Sequence, residues 1–275
     1  MMMSSLYPRV SVCVVTERRP EFMPFLAHCF NRLDWPGEKE LCVVTTKGNE
    51  ETIRQLEELI DPSEQNFDIS LEPGQYVGQL RTRATKVATG EWLTWADDDD
   101  WFAPSRIRDV WEVIMTHPHR RHIEVMGMAS DVPLLHLGLL KVKPRPRGVW
   151  WGGGLVKREL AASVRFLKLD VGEDGLWFIR VCQMAEKKHK HAVQRMATHG
   201  DMILCLEHGR NISVGDDCDE GKYWPLPIPD WLDMGSLRVI MELRERLGIT
   251  GGDLEELRRR ECKERQNLRS GTGSS

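Results

Sequence analysis

Four consecutive aspartates, Asp97 to Asp100, are the residues of this chain whose type and spacing are most suited to chemistry. They follow an apolar run that begins at Trp92, and Trp101 comes directly after them. Adjacent carboxylates repel one another, so we expect a folded protein that gathers four of them to hold a cation there. Hard oxygen ligands suit Mg²⁺ or Mn²⁺, which commonly carry a diphosphate. The alternative is a solvated acidic turn that caps a helix starting near Pro104.

A second carboxylate pair lies far along the chain. Glu173 and Asp174 stand between Gly172 and Gly175, directly before an apolar helical pattern. A carboxylate at the N-terminus of a helix is stabilised as the anion, and an anion is available to act as a base. The alternative is that both side chains only cap the helix.

The elements that must position these carboxylates alternate between strand and helix in the first hundred residues. The patterns predict strands at 9–16, 40–46, 67–71 and 92–96, and helices at 21–33, 50–60 and 77–88. Strands separated by helices imply βαβ units and a largely parallel sheet. Because ligands bind outside the carboxyl ends of parallel strands, the aspartates should lie in a binding crevice.

The second half of the chain is patterned differently. We expect strands at 122–131 and 134–142 with a turn at Pro133, a helix at 174–188, apolar segments near Val193 and at 202–206, and two charged helices at 237–247 and 254–265. The segment 141–154 is basic, broken by prolines and rich in glycine, so it is predicted to be a loop. In 187–191, the sequence Lys-Lys-His-Lys-His is more typical of a solvated helix end than of a metal site.

Composition excludes several classes of protein. The net charge of −4 argues against a general nucleic-acid-coating protein, although it allows a local basic groove. No apolar run is long enough for a transmembrane helix, and the first nine residues lack the order of a signal peptide. The seven cysteines include no Cys-x-x-Cys pair. We therefore expect free thiols and a cytoplasmic location.

Four blocks of sequence, taken in order, resemble the GT-A glycosyltransferases of family 2. Block 10–20 is similar to the opening strand of the family and its Thr-x-x-Arg-Pro turn, and block 78–92 resembles its Gly-x-x-Arg-Asn segment, with Thr82 in place of the asparagine. The aspartate run is similar to Asp-x-Asp-Asp. The fourth block, 154–160 followed by 172–177, resembles the acceptor-side strand and helix with their Glu-Asp motif.

This resemblance implies an α/β fold of the GT-A type: Rossmann-like, with a mainly parallel central sheet flanked by helices. It implies a nucleotide-sugar glycosyltransferase domain at 1–225, a helical C-terminal extension at 226–269 and a disordered tail at 270–275. The implied enzyme is soluble, metal-dependent and inverting. It moves a sugar from a nucleotide-sugar donor to an acceptor hydroxyl with Mn²⁺ or Mg²⁺ as cofactor.

The resemblance also implies roles for individual residues. The donor ligands are Thr16, Arg18, Arg81, Asp97 and Asp98, the metal ligands are Asp97, Asp99 and His208, the base is Asp174, and the acceptor ligands are Trp150, Trp151, Gly153 and Glu173. The register of the metal motif has an alternative, Asp98 with Asp100. The placement of Trp101 favours Asp97 with Asp99, because the family has an aromatic residue after the motif. His208 has a structural role as its alternative.

Two departures from the family bear on the substrates. The second strand ends in Thr45-Thr46-Lys47, where the family usually has an acidic residue that recognises uracil, so the nucleotide stays open with UDP as first candidate. The basic segment 141–147 and the tryptophans 150–151 suit an anionic acceptor, because tryptophan stacks on sugars or bases and cations attract phosphates. Such an acceptor is a polysaccharide, a lipid-linked glycan or a hydroxylated base in DNA. The alternative is a core tryptophan pair beside a solvated basic turn.

Two rival functions use the same residues. A nucleotidyltransferase would use the aspartates to bind a metal and a nucleoside triphosphate, but no glycine-rich, lysine-containing loop follows Thr16. A non-catalytic glycan-binding or nucleic-acid-binding module would retain the fold and lose the base.

Overall fold

The computed structural model describes residues 6–130, 133–138, 140–144, 148–170, 172–197, 201–208, 228–229 and 231–249. The strands in this part of the chain are β1 (Val10–Val15), β2 (Lys39–Thr46), β3 (Gln65–Leu71), β4 (Trp92–Trp95), β5 (Asp100–Phe102), β6 (Val125–Ser130), β7 (Pro133–His136), β8 (Lys141–Pro144), β9 (Gly148–Lys157), β10 (Val193–Ala197) and β11 (Ile203–Glu207). The helices are α1 (Met23–Asn31), α2 (Glu50–Leu59), α3 (Val77–Val87), α4 (Arg106–Thr116), α5 (Arg158–Ser163), α6 (Glu173–Lys188) and α7 (Met234–Arg246).

The main sheet has seven strands in the order β10-β6-β9-β4-β1-β2-β3. Strand β1 pairs in parallel with both β2 and β4, and β2 pairs in parallel with β3. Strand β9 runs antiparallel to its neighbours β4 and β6. A smaller sheet has the order β5-β11-β7-β8. The predicted mainly parallel α/β architecture is confirmed.

Alternate residues of β1 face opposite layers of helices, because successive side chains of a strand point to opposite faces. Val12 and Val14 pack in the apolar cluster that contains α1, α2, α4 and α7. Cys13 packs in the other cluster, with α3, α5 and α6. Burial on both faces explains why this strand is apolar except at Ser11. It also makes the sheet a rigid support for the residues at its carboxyl edge.

The prediction of a loop at 141–154 is wrong, since β8 and most of β9 occupy this segment. Pro144 is the last residue of β8, which is an edge strand of the small sheet, where proline is tolerated. Gly154 lies where β9 passes close to β6, and a Cβ atom there would be 2.2 Å from the carbonyl oxygen of Met126. Close strand packing, rather than a loop, therefore explains this glycine.

Several other predicted elements are observed with shifted ends. The helix expected at 174–188 begins one residue earlier, and the helix expected at 237–247 is α7. The strand expected at 134–142 is divided between β7 and β8. The predicted helix at 254–265, the tail at 270–275 and the boundary at residue 225 lie outside the described residues. No helix in the described part of the chain is long and apolar enough to cross a membrane.

Candidate active site

The aspartate run begins two residues after the end of β4 and faces the end of β1, because these two strands are parallel neighbours. Asp98 is 3% exposed, and it accepts hydrogen bonds from Thr16 Oγ1 at 2.5 Å and from Arg19 Nη1 at 2.7 Å. The same Nη1 donates to Oδ2 of Asp99 at 2.9 Å. The carboxyl edge of the sheet therefore gathers carboxylates, a hydroxyl and a guanidinium.

His208 reaches the aspartates through the register of the small sheet. Strands β5 and β11 are antiparallel, with Asp100 opposite Cys205, so residues beyond β11 approach the residues that precede β5. Nε2 of His208 lies 3.0 Å from Oδ2 of Asp99. The ring of His208 is buried and packs on Phe22, with 4.8 Å between the ring centroids.

The four aspartates have different surroundings and therefore different pKa values. Burial raises the pKa of Asp98 to about 7, the charge of Asp99 adds to this rise, and Arg19 opposes it. Burial alone would also raise the pKa of Asp99, but His208 and Arg19 hold the pKa of that carboxyl below its ordinary value. Asp99 is thus the carboxylate that carries negative charge next to His208.

Asp100 belongs to the small sheet. The backbone amide of Leu206 donates to its Oδ1 at 3.2 Å, and the thiol of Cys205 donates to its Oδ2 at 3.2 Å. Burial raises the pKa of Asp100 well above its ordinary value, and the charges of Asp99 and Asp97 add to the rise. These contacts hold Asp100 in the small sheet, which argues against the alternative register of Asp98 with Asp100, and the pairing of Asp97 with Asp99 stays a prediction.

Asp99 and His208 are suited to hold a divalent ion together. Two adjacent ligands that are each about 2.1 Å from an octahedral ion lie about 3 Å apart, and the observed separation of Oδ2 and Nε2 is 3.0 Å. Within the described ranges, no group of three or more ligating side chains is gathered for a metal. Asp99 and His208 would hold such an ion only if its remaining ligands came from phosphate oxygens and water.

Arg81 connects the aspartate run to the start of α6. It is 8% exposed, with Nη2 3.0 Å from Oδ1 of Asp97 and Nε 3.0 Å from Oε1 of Glu173. Its guanidinium lies 5.1 Å from the ring centroid of Trp95. Burial lowers the pKa of Arg81, but the charges of Asp97 and Glu173 outweigh it, and the net pKa is raised. Arg81 thus contacts one residue predicted for the donor side, Asp97, and one predicted for the acceptor side, Glu173.

Glu173 and Asp174 occupy different environments although they are adjacent. Gly172 precedes them with a φ of 76°, a left-handed conformation that lets the chain turn into α6. Glu173 is 3% exposed, and burial raises its pKa while Arg81 opposes the rise. Asp174 is exposed, and its Oδ1 accepts from the amide of Gly175 at 2.7 Å. Of the two carboxylates, Asp174 is the one that a ligand from solvent can reach.

Arg18, predicted to bind the donor, is exposed and directs a backbone amide to Oδ1 of Asn49 at 2.8 Å. Its φ of 55° turns the chain so that the next residue, Arg19, contacts the aspartates. Arg19 is thus the residue of this turn whose side chain contacts the aspartates, and donor binding by Arg18 stays a prediction. The signal was present in the sequence, because the Thr-x-x-Arg-Pro turn places its arginine directly before Pro20.

The predicted acceptor residues of β9 are only partly described. Trp150 pairs in register with Met128 of β6, and the side chains of Trp150 and Trp151 lie outside the described part of the structure. Gly153 is buried, and a Cβ atom there would lie 2.0 Å from Cε of Met128. Its missing side chain therefore serves strand packing, and an acceptor role for these residues stays a prediction.

Comparison with known proteins agrees with this architecture. Residues 11–121 match the family model described as Glycosyl transferase family 2. Similar solved structures include S. aureus TarS 1-349 in complex with UDP-GlcNAc, at 17% identity and a TM-score of 0.54, covering 72% of this chain and 58% of that one. Another is the mannosyltransferase PcManGT from Pyrobaculum calidifontis in complex with GDP-Man and Mn²⁺, at 15% identity and a TM-score of 0.51, covering 96% and 82%. No curated protein sequence matches the chain.

The family match and the fold define the class of protein that this chain resembles: residues 11–121 match the glycosyl transferase family 2 model, and the described part of the chain has the GT-A fold of the similar structures. The predicted resemblance to family 2 and the predicted fold are confirmed. The chain spans less than two thirds of the length of the TarS fragment.

Proposed function

We propose that the chain transfers a sugar from a nucleotide-sugar donor to an acceptor hydroxyl, with inversion at the anomeric carbon and with the help of Mn²⁺ or Mg²⁺. The observation that carries this proposal is the contact of Arg81 with both Asp97 and Glu173. Because of this contact, the residues proposed to bind metal and phosphate lie next to α6, the helix that carries the exposed carboxylate of Asp174. A sugar transferase needs both halves within the length of one monosaccharide.

On the donor side, Asp99 and His208 would hold the cation, which supplies charge neutralisation for the departing nucleotide. Thr16, Asp97 and Asp98 line the same edge and would bind the nucleotide sugar. The buried guanidinium of Arg81 adds fixed positive charge, which favours a diphosphate in this position. The complexes of TarS with UDP-GlcNAc and of PcManGT with GDP-Man and Mn²⁺ support a nucleotide sugar as the ligand.

UDP is the first candidate for the nucleotide. Strand β2 ends without an acidic residue of its own. Glu17 supplies a carboxylate at the same place, because Oγ1 of Thr46 donates to its Oε1 at 3.2 Å. A carboxylate there can accept the N–H of a uracil ring.

On the acceptor side, Asp174 would act as the base. Its carboxylate takes the proton of the acceptor hydroxyl as the hydroxyl oxygen attacks the anomeric carbon and the nucleotide diphosphate leaves from the opposite face. One displacement of this kind inverts the configuration. Glu173 would position the acceptor indirectly, because its contact with Arg81 holds the start of α6. The acceptor class remains as proposed from the sequence: a polysaccharide, a lipid-linked glycan or a hydroxylated base in DNA.

The proposal is tested with a panel of UDP-sugars and GDP-mannose. We expect at least one of them to raise the melting temperature in the presence of Mn²⁺, because a ligand that binds only the folded state stabilises it. The Asp99→Asn variant should lose most of this shift. If no nucleotide sugar binds, or if only a nucleoside triphosphate is turned over, the proposal fails. For a DNA acceptor, affinity should fall steeply with salt.

A further inference from the structure

Arg19 is hydrogen-bonded to the carboxylate oxygen atoms that a metal ion at this site would need as ligands. Its Nη1 lies 2.7 Å from Oδ1 of Asp98 and 2.9 Å from Oδ2 of Asp99. The second of these oxygens also lies 3.0 Å from Nε2 of His208. One guanidinium nitrogen thus bridges two carboxylates at the point where a divalent ion would bind between Asp99 and His208.

We propose that Arg19 is an internal counter-ion of Asp98 and Asp99 that the divalent cation displaces, and that the displaced guanidinium then binds the diphosphate of the donor. This inference rests on the proposed metal-dependent function. Two like charges on one carboxylate oxygen repel each other strongly in a site with little water. Metal binding therefore requires the guanidinium to move away from Oδ2 of Asp99.

Phe22 is a second partner of Arg19, and the guanidinium can keep this contact when it leaves the aspartates. The guanidinium carbon lies 5.1 Å from the centroid of the Phe22 ring, a cation–π contact that does not depend on the aspartates. The same ring packs against His208. A guanidinium that slides over Phe22 keeps this attraction and stays beside the metal ligands. The side chain of Arg19 is 17% exposed, so part of it is in contact with solvent.

The phosphate groups of the donor are the natural new partner for the displaced guanidinium. Arginine binds phosphate oxygens in a bidentate geometry, and the bond is charge-assisted. Metal and nucleotide should therefore bind cooperatively, since each removes an obstacle to the other. The metal frees Arg19 for the phosphates, and the phosphates compensate its loss of the aspartates.

The inference is tested by measuring Mn²⁺ affinity by isothermal titration calorimetry at pH 8, with and without UDP. The proteins are the wild type, Arg19→Ala, Arg19→Lys and the control Arg54→Ala, whose side chain is an exposed partner of Glu51 and Glu58 on α2. Without nucleotide, Arg19→Ala should bind Mn²⁺ about tenfold more tightly than the wild type, because a competing cation is gone. At saturating Mn²⁺ the same variant should bind UDP about tenfold more weakly.

Comparison of Arg19→Lys with Arg19→Ala distinguishes competition between two cations from a structural role of Arg19. Arg19→Lys keeps a cation and should retain a Mn²⁺ affinity close to that of the wild type. A merely structural arginine would lower Mn²⁺ affinity when removed, and that result, or an unchanged affinity, overturns the inference. If the wild type binds UDP with Mn²⁺ and transfers sugar while Arg19→Ala keeps wild-type affinities, only this inference fails. If the wild type binds neither Mn²⁺ nor a nucleotide sugar, the proposed function fails with it.

Discussion

Nε of Arg81 lies 3.0 Å from Oε1 of Glu173, and this ion pair fixes the start of α6 against α3. The same guanidinium reaches Asp97 at 3.0 Å. Because Asp174 follows Glu173 directly, the position of the proposed base depends on a residue that also contacts the donor side. The alignment of the acceptor hydroxyl should therefore depend on the position of Asp97 as well.

Arg81→Gln should damage both activity and stability. The variant leaves Glu173 buried without its counter-charge, a loss that costs about 3–5 kcal/mol for buried pairs. We expect kcat to fall about 100-fold or more, because the base and the donor side lose their common anchor. Transfer kinetics and urea unfolding measure the two effects.

Arg83→Gln is the matched control for this change. Arg83 lies on the same helix and pairs with Asp68, but its side chain is 39% exposed. Loss of this partly exposed pair should cost less than loss of the Arg81 pair and leave kcat near that of the wild type. Equal effects of the two substitutions would show that Arg81 has no special position.

Asp174→Asn should abolish most of the transfer while sparing the donor. An amide cannot accept the hydroxyl proton, and loss of a general base typically costs about 10²–10⁴-fold in rate. Affinity for the nucleotide sugar should stay within about twofold, since the side chain is exposed and does not touch the aspartate run. Glu186→Gln, an exposed change on the same helix, should leave both quantities unchanged. A variant that retains transfer within tenfold would place the base elsewhere.

The alternation of strands and helices up to residue 96 was predictable because each element is encoded by its own local pattern. Strand β1 is apolar except at Ser11 since it is buried on both faces, and α1 lies within its apolar stripe. The prediction for the segment 141–154 was wrong because it also relied on the local pattern alone. Prolines and glycines signal a loop locally, whereas here the edge of a sheet tolerates Pro144 and the approach of β6 requires Gly154.

The members of the candidate site were largely predictable, but their contacts were not. The motif order placed Arg81, Asp97 and Glu173 in one site without indicating that a single guanidinium joins them. The contact of Asp99 with His208 depends on the pairing of β5 with β11, which no local pattern encodes. The choice between Arg18 and Arg19 depends on one backbone angle, the positive φ at Arg18.

Glu40 should contribute stability that is lost in acid. Its carboxylate is 1% exposed and accepts from Ser11 Oγ at 2.5 Å, Thr89 N at 2.7 Å and Thr89 Oγ1 at 2.6 Å. Burial alone would raise its pKa, but these hydrogen bonds outweigh burial and hold the pKa of Glu40 below its ordinary value. A folded-state pKa below the unfolded value gives stability that is present above about pH 4.3 and disappears as the pH falls through the folded-state pKa.

Glu40→Gln should therefore be less stable than the wild type by about 1–3 kcal/mol at pH 7, because buried donors lose a charged acceptor. The difference should shrink as the pH is lowered from 5 to 3. Urea unfolding at several pH values measures it. Glu38→Gln, where the side chain is 79% exposed, should match the wild type throughout. A difference for Glu40→Gln that stays constant with pH would contradict the assignment.

Gly78→Ala should displace the helix that carries Arg81. A Cβ atom at position 78 would lie 1.8 Å from the carbonyl oxygen of Leu167, which is backbone and cannot rotate away. The start of α3 must then move from the segment it packs against, and overpacking of this kind costs about 1–3 kcal/mol. Because Arg81 is one turn further along, we also expect a lower kcat. Gly175→Ala is the stability control, since no heavy atom lies within 4 Å of the added Cβ and alanine favours a helix. Urea unfolding that is unchanged for Gly78→Ala would mean that close packing is not the reason for this glycine.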